Sequence, residues 1–181
     1  LLAIVAGVVL GSIAALMRNK WPDRIIVFFV TLITSMPSFV IATLLLYFFC
    51  IKLGVVQAFN SESNMVLLPV ISLSLSPMAY ITRLTKTSML DALGQDYIRT
   101  AKAKGVSQAK VIFVHGLRNA LIPVITYVGP MIGGILTGSM VIESIFNIGG
   151  LGSKFVSCIT NRDYTMIMAT TLFLAVIMVF A

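Results

Sequence analysis

The sequence predicts an all-α membrane protein, a bundle of kinked helical spans joined by one long polar cytoplasmic loop. Three observations predict it. Of 181 residues, 59% are hydrophobic and only 10% charged, whereas a soluble domain charges roughly a quarter of its residues. Apolar intervals near the length of about 20 residues that crosses a bilayer recur along the chain. Seven of the thirteen Lys and Arg residues, against two acids, Asp91 and Asp96, fall in a single interval, Arg83 to Arg118.

Five spans are expected, in one membrane domain covering residues 1–181. They are Leu1 to Met17, Ile25 to Ile51, Val66 to Thr82, Asn119 to Ile142 and Tyr164 to Ala181. The first and last open and close inside apolar runs, so further spans are expected outside the sequence at both ends. Alternate loops share a side of the membrane. Arg18 to Arg24 and Arg83 to Arg118 together hold ten cations, whereas Lys52 to Met65 and Glu143 to Asp163 hold three. Basic loops stay in the cytoplasm, so the first pair is expected inside and the second outside. The same asymmetry accounts for the net charge of +7 without nucleic acid as a partner; membrane lipid is the expected surround.

The spans are not plain anchors. Pro37, Pro69, Pro77, Pro123 and Pro130 fall within or beside them, and proline removes a helix hydrogen bond and kinks the axis. Gly129 with Gly133, and Gly134 with Gly138, have the small-x3-small spacing that lets backbones approach closely. No charge lies deep in a span, which counts against a self-powered carrier with a mid-membrane acid or histidine. Ser72, Ser74 and Ser76 either line a polar cavity beside Thr31, Thr34 and Ser35 or bond back to their own helix carbonyls. Cys50 and Cys158 lack a metal or redox context and read as buried free thiols. His115, alone, reads as a hydrogen-bonding residue rather than a metal ligand.

The polar loop predicts two helices and a hinge. Leu90, Leu93, Tyr97 and Ala101 recur at three- and four-residue spacing, predicting an amphipathic helix over Thr87 to Lys104. Gly105 supplies its stop through the left-handed cap conformation. Ser107 is placed to cap a second helix whose apolar stripe is Ile112, Phe113 and Gly116. By pattern alone this pair fits either a groove on a partner or an anionic lipid surface.

The stretch Gln95-Asp-Tyr-Ile-Arg-Thr-Ala-Lys-Ala-Lys-Gly105 resembles the signature loop of membrane subunits of ATP-binding-cassette importers, in the form used by dipeptide and oligopeptide permeases. The peptide-permease form, Arg-Thr-Ala-x-Ala-Lys-Gly, is matched in full. Of the broader signature, Glu-Ala-Ala-x3-Gly-x9-Ile-x-Leu-Pro (the EAA motif), Ala101, Gly105 and Leu117 match. Met17-Arg-Asn-Lys-Trp-Pro-Asp-Arg24, Ser35-Met-Pro-Ser-Phe39 and Thr137-Gly-Ser-Met-Val-Ile-Glu-Ser-Ile-Phe146 resemble further stretches of the same family. Gly149-Gly-Leu-Gly152 stands where the family usually has Pro-Gly-x-Gly, and Thr165 follows Tyr164 where proline is common.

The resemblance implies the type I importer permease fold and a multi-pass subunit of a bacterial or archaeal cytoplasmic membrane. It implies a second homologous permease subunit, two ATPase subunits docked on the cytoplasmic loops, and an external substrate-binding protein. ATP and Mg²⁺ would sit on the ATPases. The chain itself has no Gly-x4-Gly-Lys-Ser/Thr phosphate loop, so no catalytic residue, metal or cofactor is expected in it. The coupling loop would comprise Asp96, Tyr97, Arg99, Thr100, Ala101, Lys102, Ala103, Lys104 and Gly105. Glu143, Gly149, Gly150, Gly152, Arg162 and Asp163 are candidates for an external gate or a binding-protein contact, with solvation or local turn formation as the competing reading. Peptides are the expected cargo, with a nickel complex or glutathione as alternatives in the same family. A secondary transporter, a channel or a membrane scaffold is the alternative outside it.

Overall fold

A computed structural model describes residues 1–54, 66–136 and 139–180. The described residues are helical throughout and divide into two compact units. One comprises Leu1–Ser35 with Pro77–Val128, the other Met36–Ser76 with Gly129–Ala181. The chain crosses between units after Ser35, Ser76 and Val128. A proline, Pro37, Pro77 or Pro130, lies within two residues of each crossing, where the missing amide donor interrupts the helix ladder.

The first unit begins with α1 (Leu2–Leu16), whose buried face is Ala3, Gly7, Gly11, Ala14 and Ala15. These small residues let α1 lie almost in backbone contact with α4 (Leu67–Leu93). A Cβ added at Gly7 would lie 2.7 Å from the Ile81 side chain, and one at Gly11 would lie 2.6 Å from the Thr82 carbonyl oxygen and from Thr85 Cβ. Of the glycines expected to pack closely in the fourth span, Gly133 is buried, while a Cβ at Gly134 would meet no atom within 4 Å. Gly138 lies outside the described residues.

A turn holding Asn19 at φ 65° leads into α2 (Trp21–Ser35). Asp23, in the first turn of α2, accepts the Asn19 backbone N–H at 2.9 Å. It also takes the Lys86 ammonium of α4 as its ion-pair partner. The carboxylate is buried, at 5% exposure, and a charge in that setting requires such partners.

The second unit contains α3 (Ser38–Leu46), which continues as a π-helical turn over Tyr47–Lys52. It also holds α8 (Met140–Ile145), α9 (Leu151–Thr160) and α10 (Tyr164–Phe180). Its core is Ala42, Leu68, Ile142 and Phe146, with Leu45, Leu46, Leu73 and Cys50 packed around it. Both cysteines are half-buried free thiols rather than fully buried ones.

Several expected boundaries move. The interval Ile25 to Ile51 is not one helix: α2 starts earlier, at Trp21, and the helix breaks at Met36–Pro37. The helix of the third span does not stop at Thr82, because α4 runs on to Leu93. α6 (Gln108–Lys110), a π-helical segment over Val111–Leu117 and α7 (Arg118–Leu136) make one helix of 29 residues. The second loop helix and the fourth span are therefore continuous, and the helix does not run on to Ile142, because Ser139 is extended and caps α8. The interval Glu143 to Asp163 is largely helical, and most of Lys52 to Met65 lies outside the described residues. Among the described residues, two helices, Leu67–Leu93 and Gln108–Leu136, are long and apolar enough to cross a membrane, and α2 with α3 form a broken third candidate.

Four of the span hydroxyls bond to their own helices. Ser72 donates to Leu68 O at 2.7 Å, Ser74 to Ile71 O, Thr34 to Val30 O and Ser35 to Thr31 O. Each satisfies its own helix.

Candidate functional site

The amphipathic helix expected over Thr87 to Lys104 is cut in two. α4 stops at Leu93, Gly94 donates its N–H to Leu90 O at 3.1 Å, and Gln95 takes an extended conformation. α5 (Asp96–Ala103) then starts on a new axis. Leu90 and Leu93 therefore pack in the core of Ala15, Met89, Ala92 and Ala120, whereas Tyr97 is 40% exposed. The residue that anchors α5 is Ile98, at 1% exposure, with Ala101 half-buried beside it.

α5 presents Asp96, Arg99, Thr100, Lys102 and Ala103 to the outside, followed by Lys104 and Gly105. Asp96 in the first turn and Lys102 in the last complement the helix dipole. Asp96 and Arg99 pair at 3.4 Å but are almost fully exposed, so the pair adds little stability. The end of the helix is built more firmly. Gly105 sits at φ +77°, its N–H donates to Lys102 O at 3.0 Å, and Val106 N–H donates to Ala101 O at 3.2 Å. This paired cap requires a left-handed residue at its turn, and glycine is the residue that enters it without strain.

Beyond the turn, Ser107 stands at the start of α6 but makes no side-chain cap bond. Of the stripe expected there, Gly116 is buried and Ile112 packs against the core, whereas Phe113 is 62% exposed and Val111 is buried instead. The π-helical winding changes which residues share a face. Gly116 meets the end of α4, where a Cβ would approach Leu93 Cδ2 to 2.9 Å. Asn119, one turn on, donates from Nδ2 both to Tyr97 Oη on α5 and to the His115 carbonyl, each at 3.0 Å. His115 is half-buried, and its backbone carbonyl joins this network. α5 is thus tied through Tyr97 to the helix Gln108–Leu136, which itself meets the end of α4 at Gly116.

The external candidates separate into two places. Glu143 on α8 accepts the Ser153 N–H of α9 at 2.7 Å through Oε2. Ser153 Oγ accepts the Gly150 N–H at 3.0 Å. Glu143 therefore caps α9 from another helix, in place of a local side chain. A Cβ at Gly150 would fall 2.3 Å from that carboxyl carbon, and one at Gly152 2.8 Å from Met140 Cγ; Gly149 is exposed. Arg162 and Asp163 form the turn between α9 and α10. Arg162 takes φ 56°, Asp163 N–H closes the helix cap on Cys158 O at 3.0 Å, and Asp163 Oδ1 accepts the Met166 N–H at 3.1 Å. No hydrogen bond or ion pair links them to Glu143 among the described residues. No group of three metal-ligating side chains occurs among the described residues either.

Comparison with known proteins follows the same line. The dipeptide transport system permease protein DppB of Bacillus subtilis is 50% identical over 180 residues, 98% of this chain and 58% of its own length. The oligopeptide transport system permease protein OppB of Haemophilus influenzae is 46% identical over 94% of this chain and 56% of its own. The glutathione transport system permease protein GsiC of Escherichia coli is 41% identical, again over 94% and 56%. The chain spans less than three fifths of the length of these relatives. Residues 7–181 match the family described as binding-protein-dependent transport system inner membrane component, and with an all-helical fold and long apolar helices the chain belongs to that family.

Proposed function

We propose that the chain is the transmembrane subunit of an ATP-driven importer that moves dipeptides and oligopeptides across the cytoplasmic membrane. The observation that carries this reading is α5: a short cationic helix, anchored by one buried isoleucine, ended by a left-handed glycine and tied through Tyr97 to Asn119 of the long helix that follows. Similarity to peptide permeases supports the cargo.

In this reading residues 83–118 face the cytoplasm, as the surplus of cations on that side supports. Two ATPase subunits, carrying ATP and Mg²⁺, dock on Asp96 to Gly105. A second homologous permease completes the pathway, and an external binding protein delivers cargo. The exposed Arg99, Lys102 and Lys104 meet the ATPase, while Ile98 and Ala101 hold the helix to its own subunit. Displacement of α5 reaches α7 through Tyr97 and Asn119, and reaches α4 through the Gly116 contact with Leu93. The external face that meets the binding protein includes Gly149, Arg162 and Asp163, with Glu143, Gly150 and Gly152 holding the hairpin beneath it. The chain makes no covalent chemistry. Similarity to a glutathione permease favours that tripeptide as a second cargo.

Gly105→Val and Ala101→Asp in the full-length protein, reconstituted with its second permease and ATPases, test the reading. Both should reduce ATPase co-purification and peptide uptake at least tenfold while the subunit still inserts. Persistence of both would sink the coupling assignment, and uptake driven by an ion gradient through this subunit alone would make it a secondary carrier.

A further inference from the structure

The first unit contains a groove in which α5 takes no part. Ala14 of α1, Ile26, Val27 and Val30 of α2, and Thr82, Arg83, Lys86 and Thr87 of α4 line a cavity of about 210 Å³. Its walls on α1 and α2 are aliphatic, and its cations come from α4. The two cations are not equivalent. Lys86 is neutralised by the buried Asp23 carboxylate. Arg83 has no acidic partner among the described residues, and its side-chain bond is to Thr34 Oγ1 at 3.4 Å. The threonine hydroxyls do not compete for an anion, because Thr82 and Thr87 donate to the Met78 and Arg83 carbonyls. The groove therefore offers one uncompensated guanidinium beside an apolar trough.

The surroundings select the ligand. Ile25, Phe28, Phe29 and Leu32 leave the outer surface of α2 apolar and exposed, and Val27 is 39% exposed where that surface meets the groove. A guanidinium fork matches phosphate oxygens bidentately, and basic pockets between spanning helices recognise anionic headgroups. We propose that this groove binds one anionic phospholipid, its phosphate on Arg83 and an acyl chain along Ile26, Val27 and Val30. Because a single uncompensated charge recognises it, a zwitterionic lipid, whose ammonium group already offsets its phosphate, is a poorer ligand. The inference rests on the membrane setting of the family and not on the peptide reading.

The test counts lipids retained by the full-length protein in its complex after detergent exchange, by native mass spectrometry in defined phosphatidylglycerol or phosphatidylcholine. Wild type should keep one more phosphatidylglycerol per copy of this chain than Arg83→Gln, and show no such difference in phosphatidylcholine. Val30→Trp, which fills the trough and leaves Arg83, should lose the same lipid. Unchanged thermal unfolding of Arg83→Gln in detergent alone separates lost binding from lost folding. Equal phosphatidylglycerol retention by wild type and Arg83→Gln overturns the proposal. So does displacement of the lipid by millimolar glycerol 3-phosphate, which would make the groove a site for soluble phosphate.

Discussion

Asn119 Nδ2 bonds the Tyr97 hydroxyl across 22 residues of sequence, at 3.0 Å, while also bonding the His115 carbonyl one turn behind it. One amide thus fixes α5 to the helix that becomes α7. Tyr97→Phe deletes a single bond and should cost about 1 kcal/mol. Asn119→Ala deletes both and should cost more. Because the two residues share one bond, Tyr97→Phe should add almost nothing in an Asn119→Ala background. Amide exchange across Ile98 to Ala103 measures this, with faster exchange expected in either single variant and no further acceleration in the double.

Asp23 and Lys86 are 63 residues apart and unequally buried, the lysine side chain being 22% exposed and the carboxylate 7%. Removing one partner of a buried pair costs more than removing both. Lys86→Met strands the carboxylate and should destabilise by about 3 kcal/mol. Asp23→Asn leaves an ammonium that reaches water along its flexible stem, so the loss should be smaller. The double variant should recover most of the stability lost in Lys86→Met. Thermal unfolding in detergent orders the three.

Gly11 faces the backbone of α4, which cannot yield as the end of a side chain can. Gly11→Val should therefore separate α1 from α4 and cost about 3 kcal/mol or more. Gly94 is the control: an added Cβ there finds its nearest atoms at 3.5 Å, an ordinary contact, so Gly94→Ala should leave the melting temperature nearly unchanged. Equal losses in the two variants would contradict the packing described for Gly11.

The sequence made local features legible and long-range ones much less so. The stop at Gly105 was readable because left-handed backbone and glycine go together, and back-bonding serines were readable because their partners lie three or four residues away. Helix ends were misjudged for a physical reason. Hydropathy changes at Arg83, but the backbone hydrogen bonds of α4 are indifferent to it and continue to Leu93. Periodicity failed at Phe113 because it assumes 3.6 residues per turn, and the segment there is wound more widely. Asp23 carried a weak signal, an acid among Arg18, Lys20 and Arg24, though nothing local named Lys86. Glu143 gave no sign that its partner would be a backbone amide on the next helix.

The wide winding of Val111 to Leu117 has one more consequence. Its bonds enclose one residue more per turn than those of an α-helix. The chain therefore carries slack at that point, and losing one residue there would tighten the turn while leaving the faces above and below it nearly aligned. The same deletion anywhere in Arg118–Leu136 would swing everything before it by about 100°. Along this helix, Val111 to Leu117 is the stretch where a change of length need not become a change of direction.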